Sequence, residues 1–147
     1  MAIADPFNLQ RFVLAQNPVF AQVRAELAVG RKQSHWMWFI FPQHLALGRS
    51  GTAQLFGIVS LDEAAAFLAH PILGSRLKAC CEQLLSANGR TAHDILGSPD
   101  DVKLCSSMTL FATAVPEEPI FQQILDRFYS GKPDMRTLEL VGARHSC

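Results

Sequence analysis

No stretch of this 147-residue chain approaches the ~18 consecutive apolar residues that a membrane-spanning helix needs. The N-terminus has neither the charged start nor the apolar core of a secretory signal, so a soluble, cytoplasmic protein is expected. Excess charge is missing too: 13 basic residues balance 13 acidic ones, and no basic stripe stands out. That removes the electrostatic footprint of a duplex nucleic-acid binder. Cysteine is sparse. Of Cys80, Cys81, Cys105 and Cys147, the first two are adjacent, a spacing that suits neither a metal knuckle nor a redox pair. One of the two is expected in the core with the other pointing elsewhere, and Cys147 as a loose terminal thiol. No metal or cofactor is assigned. Phosphate loop, dinucleotide glycine fingerprint, His-Glu-x-x-His and nucleophile elbow are all absent.

What the chain does have is helix punctuation. Apolar residues make up 49% and charged residues 18%, values of a globular protein with a real core. Asp5-Pro6 predicts a helix to about Gln16 with Leu9, Phe12, Val13 and Gln16 inward, and Asn17-Pro18 a second one ended by Gly30. Ser60-x-x-Glu63 is a capping box. Helices follow over about 71–87, over the short turn capped by Thr91-x-x-Asp94, and from Ser98-Pro99 to Pro116. On that long helix Val102, Cys105, Met108, Phe111 and Ala112 are expected inward. Pro119 opens another helix, and Asp134 caps a last one. Four small residues between Leu45 and Gly57 read as a loop. Together these predict a mostly α fold, a single compact multi-helix domain over 1–147 with at most a minor β component, and a loose tail at 143–147.

The centre of the chain is Gly30-Arg31-Lys32-Gln33-Ser34-His35-Trp36-Met37-Trp38-Phe39-Ile40-Phe41-Pro42-Gln43, which holds both tryptophans. Aromatic side chains bury the most area, so this segment belongs in the core. Residues 35–41 fit a short helix capped by Ser34 and stopped by Pro42, or a strand; the helix is favoured. Polar groups at both rims give the segment the look of a pocket wall, and equally of an ordinary buried segment. Lys103, Ser106 and Ser107 share one helix face, with Thr109 nearby. They read either as a solvated face with serines bonded back to carbonyls, or as a polar wall offering an ammonium and hydroxyls to a phosphate or ribose. His35 is a candidate acid or base or a satisfied core histidine; Asp101, next to Lys103, and Asp134, near Thr137, are candidate acids or plain helix caps. Lys32, His35, Gln43, Lys103 and Ser107 are expected to converge on one pocket.

The string from Gly30 to Gln43, continued by Gly48-x-Ser50, resembles the hallmark of a bacterial domain-of-unknown-function family, number 1810, often labelled "calpastatin" in automatic naming. Lys103-Leu104-x-Ser106-Ser107-Met108-Thr109-Leu110-Phe111 and Gly131-x-x-Asp134-x-x-Thr137-Leu138 are similar to its second and third hallmarks, so the likeness spans about Phe7 to Val141. The label does not suit a compact apolar chain, because the calpain inhibitor of that name is disordered and polar. The family in turn resembles the mostly α NADAR group, linked to cleavage of N-glycosidic bonds in nucleotide- or ADP-ribose-like substrates. If Ala15-Gln16 matches the NADAR helix, that group's Glu-His pair falls here on Gln10 and Arg11, and Gln10 cannot act as a carboxylate. The resemblance implies a nucleotide or ADP-ribose-like ligand: Trp36 or Trp38 would stack a base. Lys32, Gln43, Ser50, Lys103, Ser106, Ser107 and Thr109 would line the site, and His35 with Asp101 would supply acid and base to an N-glycosidase. The alternative expectation is a non-catalytic interaction domain.

Overall fold

The computed structural model describes residues 4–142, so the expected tail at 143–147 and Cys147 lie outside the described residues. Among the described residues the chain forms ten α-helices: α1 (Gln10–Gln16), α2 (Phe20–Val29), α3 (Met37–Ile40), α4 (Gly51–Leu55), α5 (Leu61–Ala69), α6 (Leu73–Ser86), α7 (Ala92–Leu96), α8 (Asp100–Ala114), α9 (Ile120–Tyr129) and α10 (Met135–Leu140). The one β feature among them is an isolated parallel bridge between His44 and Ile58.

Four of the ten helix starts are fixed by a capping side chain. The other six, those following Asn17-Pro18 and Ser34 among them, have no side-chain cap. Ser60, Thr91 and Asp134 each accept a hydrogen bond from the backbone N–H three residues on, satisfying a donor that the helix itself leaves open. Gly30 ends α2 in the left-handed conformation (φ 79°), which only glycine adopts without a steric cost. The first start differs. Asp5 accepts from the N–H groups of Leu9 and Gln10, but α1 begins at Gln10, because a turn with Asn8 at φ 52° intervenes.

Three expectations require correction. The segment from Leu45 to Gly57 is not a loop: it holds a 3-10 turn at Leu45–Leu47 and α4, whose start Ser50 caps. Cys80 and Cys81 are both buried. On α8 the inner face is displaced, with Val102 at 62% exposure while Leu104, Ser106, Ser107, Thr109 and Leu110 are buried beside Met108 and Phe111. The reason is position. Helix α8 packs against α5, α7, α9 and α10, so it is enclosed on several sides and carries no single apolar stripe.

Rings link the layers around α8. Phe12 of α1 meets Phe67 of α5 edge-on at 5.0 Å, Phe67 meets Phe111 of α8 at 5.4 Å, and Phe111 meets Phe121 of α9 at 5.5 Å. Tilted and edge-on pairs of this kind suit the charge distribution of the rings. The aromatic segment joins this core as a helix: Trp36, Met37, Ile40 and Phe41 are buried. Gln16 fixes it from α1, its amide donating to the Phe39 carbonyl at 2.7 Å.

Candidate functional site

Trp38 is half-buried, as its neighbour Phe39 is, and it forms one wall of a cavity of about 380 Å³. That volume lies in the range of small-molecule sites, roughly 300–1,000 Å³. Four parts of the chain build it. The aromatic segment and its exit give Trp38 and Gln43; the turn before α4 gives Leu47, Gly48, Arg49 and Ser50; α8 and its start give Pro99, Val102, Lys103 and Ser106; the start of α10 gives Asp134 and Arg136. Ala53 of α4 closes the side at Gly48, where a β-carbon would lie 2.3 Å from the Ala53 methyl, so the approach requires glycine.

Its electrostatics are uneven. Arg49 and Arg136 are exposed and form no ion pair among the described residues. The Lys103 ammonium stands 5.4 Å from the Trp38 ring centroid and 3.9 Å from Asp100. Against these three cations stands one lining carboxylate, Asp134. It is held from several directions: the Ser106 hydroxyl donates to Oδ2 at 3.2 Å, the Thr137 hydroxyl at 2.5 Å and the Thr137 N–H at 3.1 Å. Its own N–H donates to Thr109 Oγ1 at 2.8 Å. A recess of about 10 Å³, room for about one water, adjoins Trp38 and Gln43 and is closed by His44, Phe56 and Gly57. His44 accepts from the Ala46 N–H through Nδ1, and burial lowers its pKa, so the ring presents a neutral Nε2–H donor.

Of the ligand-binding residues expected from sequence, Trp38, Gln43, Ser50, Lys103 and Ser106 come together on this cavity. The others lie elsewhere. Lys32 pairs with Asp100 at 2.8 Å and covers the Trp36 ring at 5.1 Å. Trp36 is 1% exposed. Thr109 is buried, bonded to the Cys105 carbonyl, and supports the cavity only through Asp134. Ser107 is buried with no hydrogen-bond partner for its hydroxyl among the described residues. His35 is exposed and not part of the lining, while Asp101 turns to His93 at 3.3 Å. So of the five side chains expected to converge, Gln43 and Lys103 do.

Sequence reasoning missed Arg49 and Arg136; Asp134, weighed there as an acid or a helix cap, is both the cap of α10 and part of this lining. Arg49 lies inside the hallmark that ends at Ser50 and Arg136 inside the third hallmark, so the signal was present as unassigned cations within marked strings. Other cavities gather less. One of about 300 Å³ between α2 and α6 has Arg90 as its cation, and one beside α5 has Lys78, already 3.2 Å from Glu118.

An all-helical domain with a cationic cavity walled by one indole is the class of protein that fold and site define. The chain belongs to the family described as "Protein of unknown function (DUF1810)", whose sequence profile matches residues 6–141. It is similar to the conserved hypothetical protein Rv1873 from Mycobacterium tuberculosis, known from a crystal structure at 1.38 Å. The two are 50% identical, the match covers 94% of this chain and 99% of that one, and the TM-score is 0.92. A comparison with curated proteins gives no match. Among the described residues no helix is long and apolar enough to cross a membrane, and no group of three or more His, Cys, Asp or Glu is placed to hold a metal ion.

Proposed function

We propose that the Trp38 cavity binds a small anionic ligand bearing a flat ring, of the nucleotide or ADP-ribose-like class. The observation that carries this reading is the meeting of Trp38 with Arg49, Lys103 and Arg136 on one cavity. A base stacked on an indole gains ~1–3 kcal/mol, and arginine forks match phosphate oxygens in pairs. Ser50, Ser106 and Gln43 add hydroxyl and amide partners at the same surface. Binding is better supported than hydrolysis, since His35 and Asp101 are not among the lining residues. Thermal melting with AMP, NAD and ADP-ribose tests the reading: a ligand at a hundred times its Kd adds about 2.7 kcal/mol. Unchanged melting with all three would dispose of it.

A second reading, a non-catalytic surface for a protein partner, is favoured by Leu55 and Val59. They are 56% and 55% exposed and line an open cavity on the far end of the Gly48–Gly57 segment. A stable complex that survives Trp38→Ala but not Leu55→Asp, in a protein indifferent to nucleotides, would favour it.

A further inference from the structure

We infer that Asp134 makes this cavity select ligands carrying sugar hydroxyls, so that a ribonucleotide is preferred over its deoxy counterpart. The inference rests on the binding reading above and adds a specificity-determining residue to it. Oδ2 of Asp134 is occupied by Ser106 and Thr137, whereas Oδ1 has no hydrogen-bond donor among the described residues. Lys103 and Arg136 line the same cavity, yet neither lies within ion-pair distance of this carboxylate. An ionised carboxylate with open lone pairs is satisfied by a donor from outside the protein, from water or from a ligand.

The surrounding charge decides which donor. Arg49, Lys103 and Arg136 repel a cationic ligand, and the carboxylate itself repels a second anion placed against it. A neutral hydroxyl fits, on a molecule whose anionic group reaches the arginines and whose ring reaches Trp38. A phosphorylated ribose joined to a base has these parts in that order. The anchoring of Asp134 through its own N–H and through Oδ2 leaves its carboxylate preset for such a contact, which lowers the ordering cost of binding.

The test is the ratio of Kd values for AMP and 2′,3′-dideoxyadenosine monophosphate, measured by calorimetry on wild type, Asp134→Ser and Asp134→Asn. Serine and asparagine both cap helices well, so α10 should keep its start, and circular dichroism checks this. Wild type should prefer AMP by about tenfold or more, the order that one hydrogen bond to a charged acceptor supplies. Asp134→Ser should reduce the ratio to about one, and Asp134→Asn should fall between. Equal affinities in wild type, or a preference that persists in Asp134→Ser, would overturn the selection by Asp134 and leave the binding reading intact. Absence of binding for both nucleotides would overturn the two together.

Discussion

The indole N–H of Trp36 donates to Oε1 of Glu26 at 2.9 Å, in the protein interior and across ten residues of chain. The same carboxylate, 4% exposed, also takes the N–H groups of Gln33 and Ser34, the Ser34 hydroxyl and the Gln22 amide. Five donors converge on one ion. The turn that delivers the tryptophans is therefore tied to α2 by a charge, and a buried charge is tolerated only when its lone pairs are met this fully.

Truncating Trp36 to alanine should cost ~3–5 kcal/mol in denaturant melts, as a core truncation at a site that is 1% exposed. Trp36→Phe keeps most of the volume and removes the donor. It should cost ~1–3 kcal/mol, the penalty of leaving a buried acceptor short of one partner. Equal losses for the two variants would mean that the hydrogen bond, and not packing, dominates.

Acid should loosen the same tie. Burial alone would raise the Glu26 pKa, but the hydrogen bonds from Ser34, Gln33 and Gln22 outweigh it and bring it from 4.5 down to about 2. A carboxyl depressed by folding contributes its stability above the unfolded value and loses it as pH falls through the folded one. About 3 kcal/mol should therefore disappear between pH ~4.5 and ~2. Glu26→Gln, less stable at neutral pH, should show a flatter acid limb, which melts taken across that range will measure.

Two glycines should respond to alanine in opposite directions. At Gly74 a β-carbon would fall 2.0 Å from the Leu68 carbonyl oxygen, where α6 passes closely against α5. Gly74→Ala should cost ~1–3 kcal/mol or more, because the clash is with backbone. At Gly51 nothing lies within 4 Å and the residue is helical. Gly51→Ala should be neutral or add ~0.4–1 kcal/mol by narrowing the unfolded ensemble.

At the cavity, Trp38 reports occupancy. It is the half-buried tryptophan while Trp36 is enclosed, so ligand addition should quench the Trp38 part of the fluorescence and leave a Trp38→Phe protein unresponsive. Arg49→Ala and Arg136→Ala should each weaken AMP binding with melting temperatures within about ±0.5 kcal/mol equivalents of wild type, as befits exposed positions. A gap in affinity between wild type and variant that shrinks as ionic strength rises would identify the loss as electrostatic.

Some helix caps were legible in this sequence, but not those expected at Asn17 and Ser34: α2 and α3 start without a side-chain cap, and Ser34 gives its hydroxyl to Glu26. Ser60, Thr91, Asp134 and Gly30 act through contacts within a few residues, and Pro42 ends the aromatic helix for the same local reason. Helix α8 was not legible. Its buried hydroxyls are met in three different ways: Thr109 bonds within the helix to the Cys105 carbonyl at 2.8 Å, Ser106 reaches Asp134, and Ser107 has no partner among the described residues. A polar letter there carries no information about solvent. The cavity was half legible: Trp38, Gln43, Ser50, Lys103 and Ser106 stood out as polar or aromatic letters in marked strings, but what unites them with Arg49, Asp134 and Arg136 is contact between distant segments. Lys32 looked like a ligand residue until its partner, Asp100, was visible 68 positions away in sequence and 2.8 Å away in space.

Arg11 donates to the carbonyls of Phe7, Asn8, Leu55 and Gly57 and to the Glu63 carboxylate. A planar guanidinium with five N–H groups can face that many acceptors at once; a lysine ammonium, with three, cannot. One cation on α1 thus clasps both sides of the exit from α4, the helix whose start frames the Trp38 cavity. The shape of that cavity is set in part by a side chain that never meets its contents, and Arg11→Lys, conservative by charge, is a change of architecture.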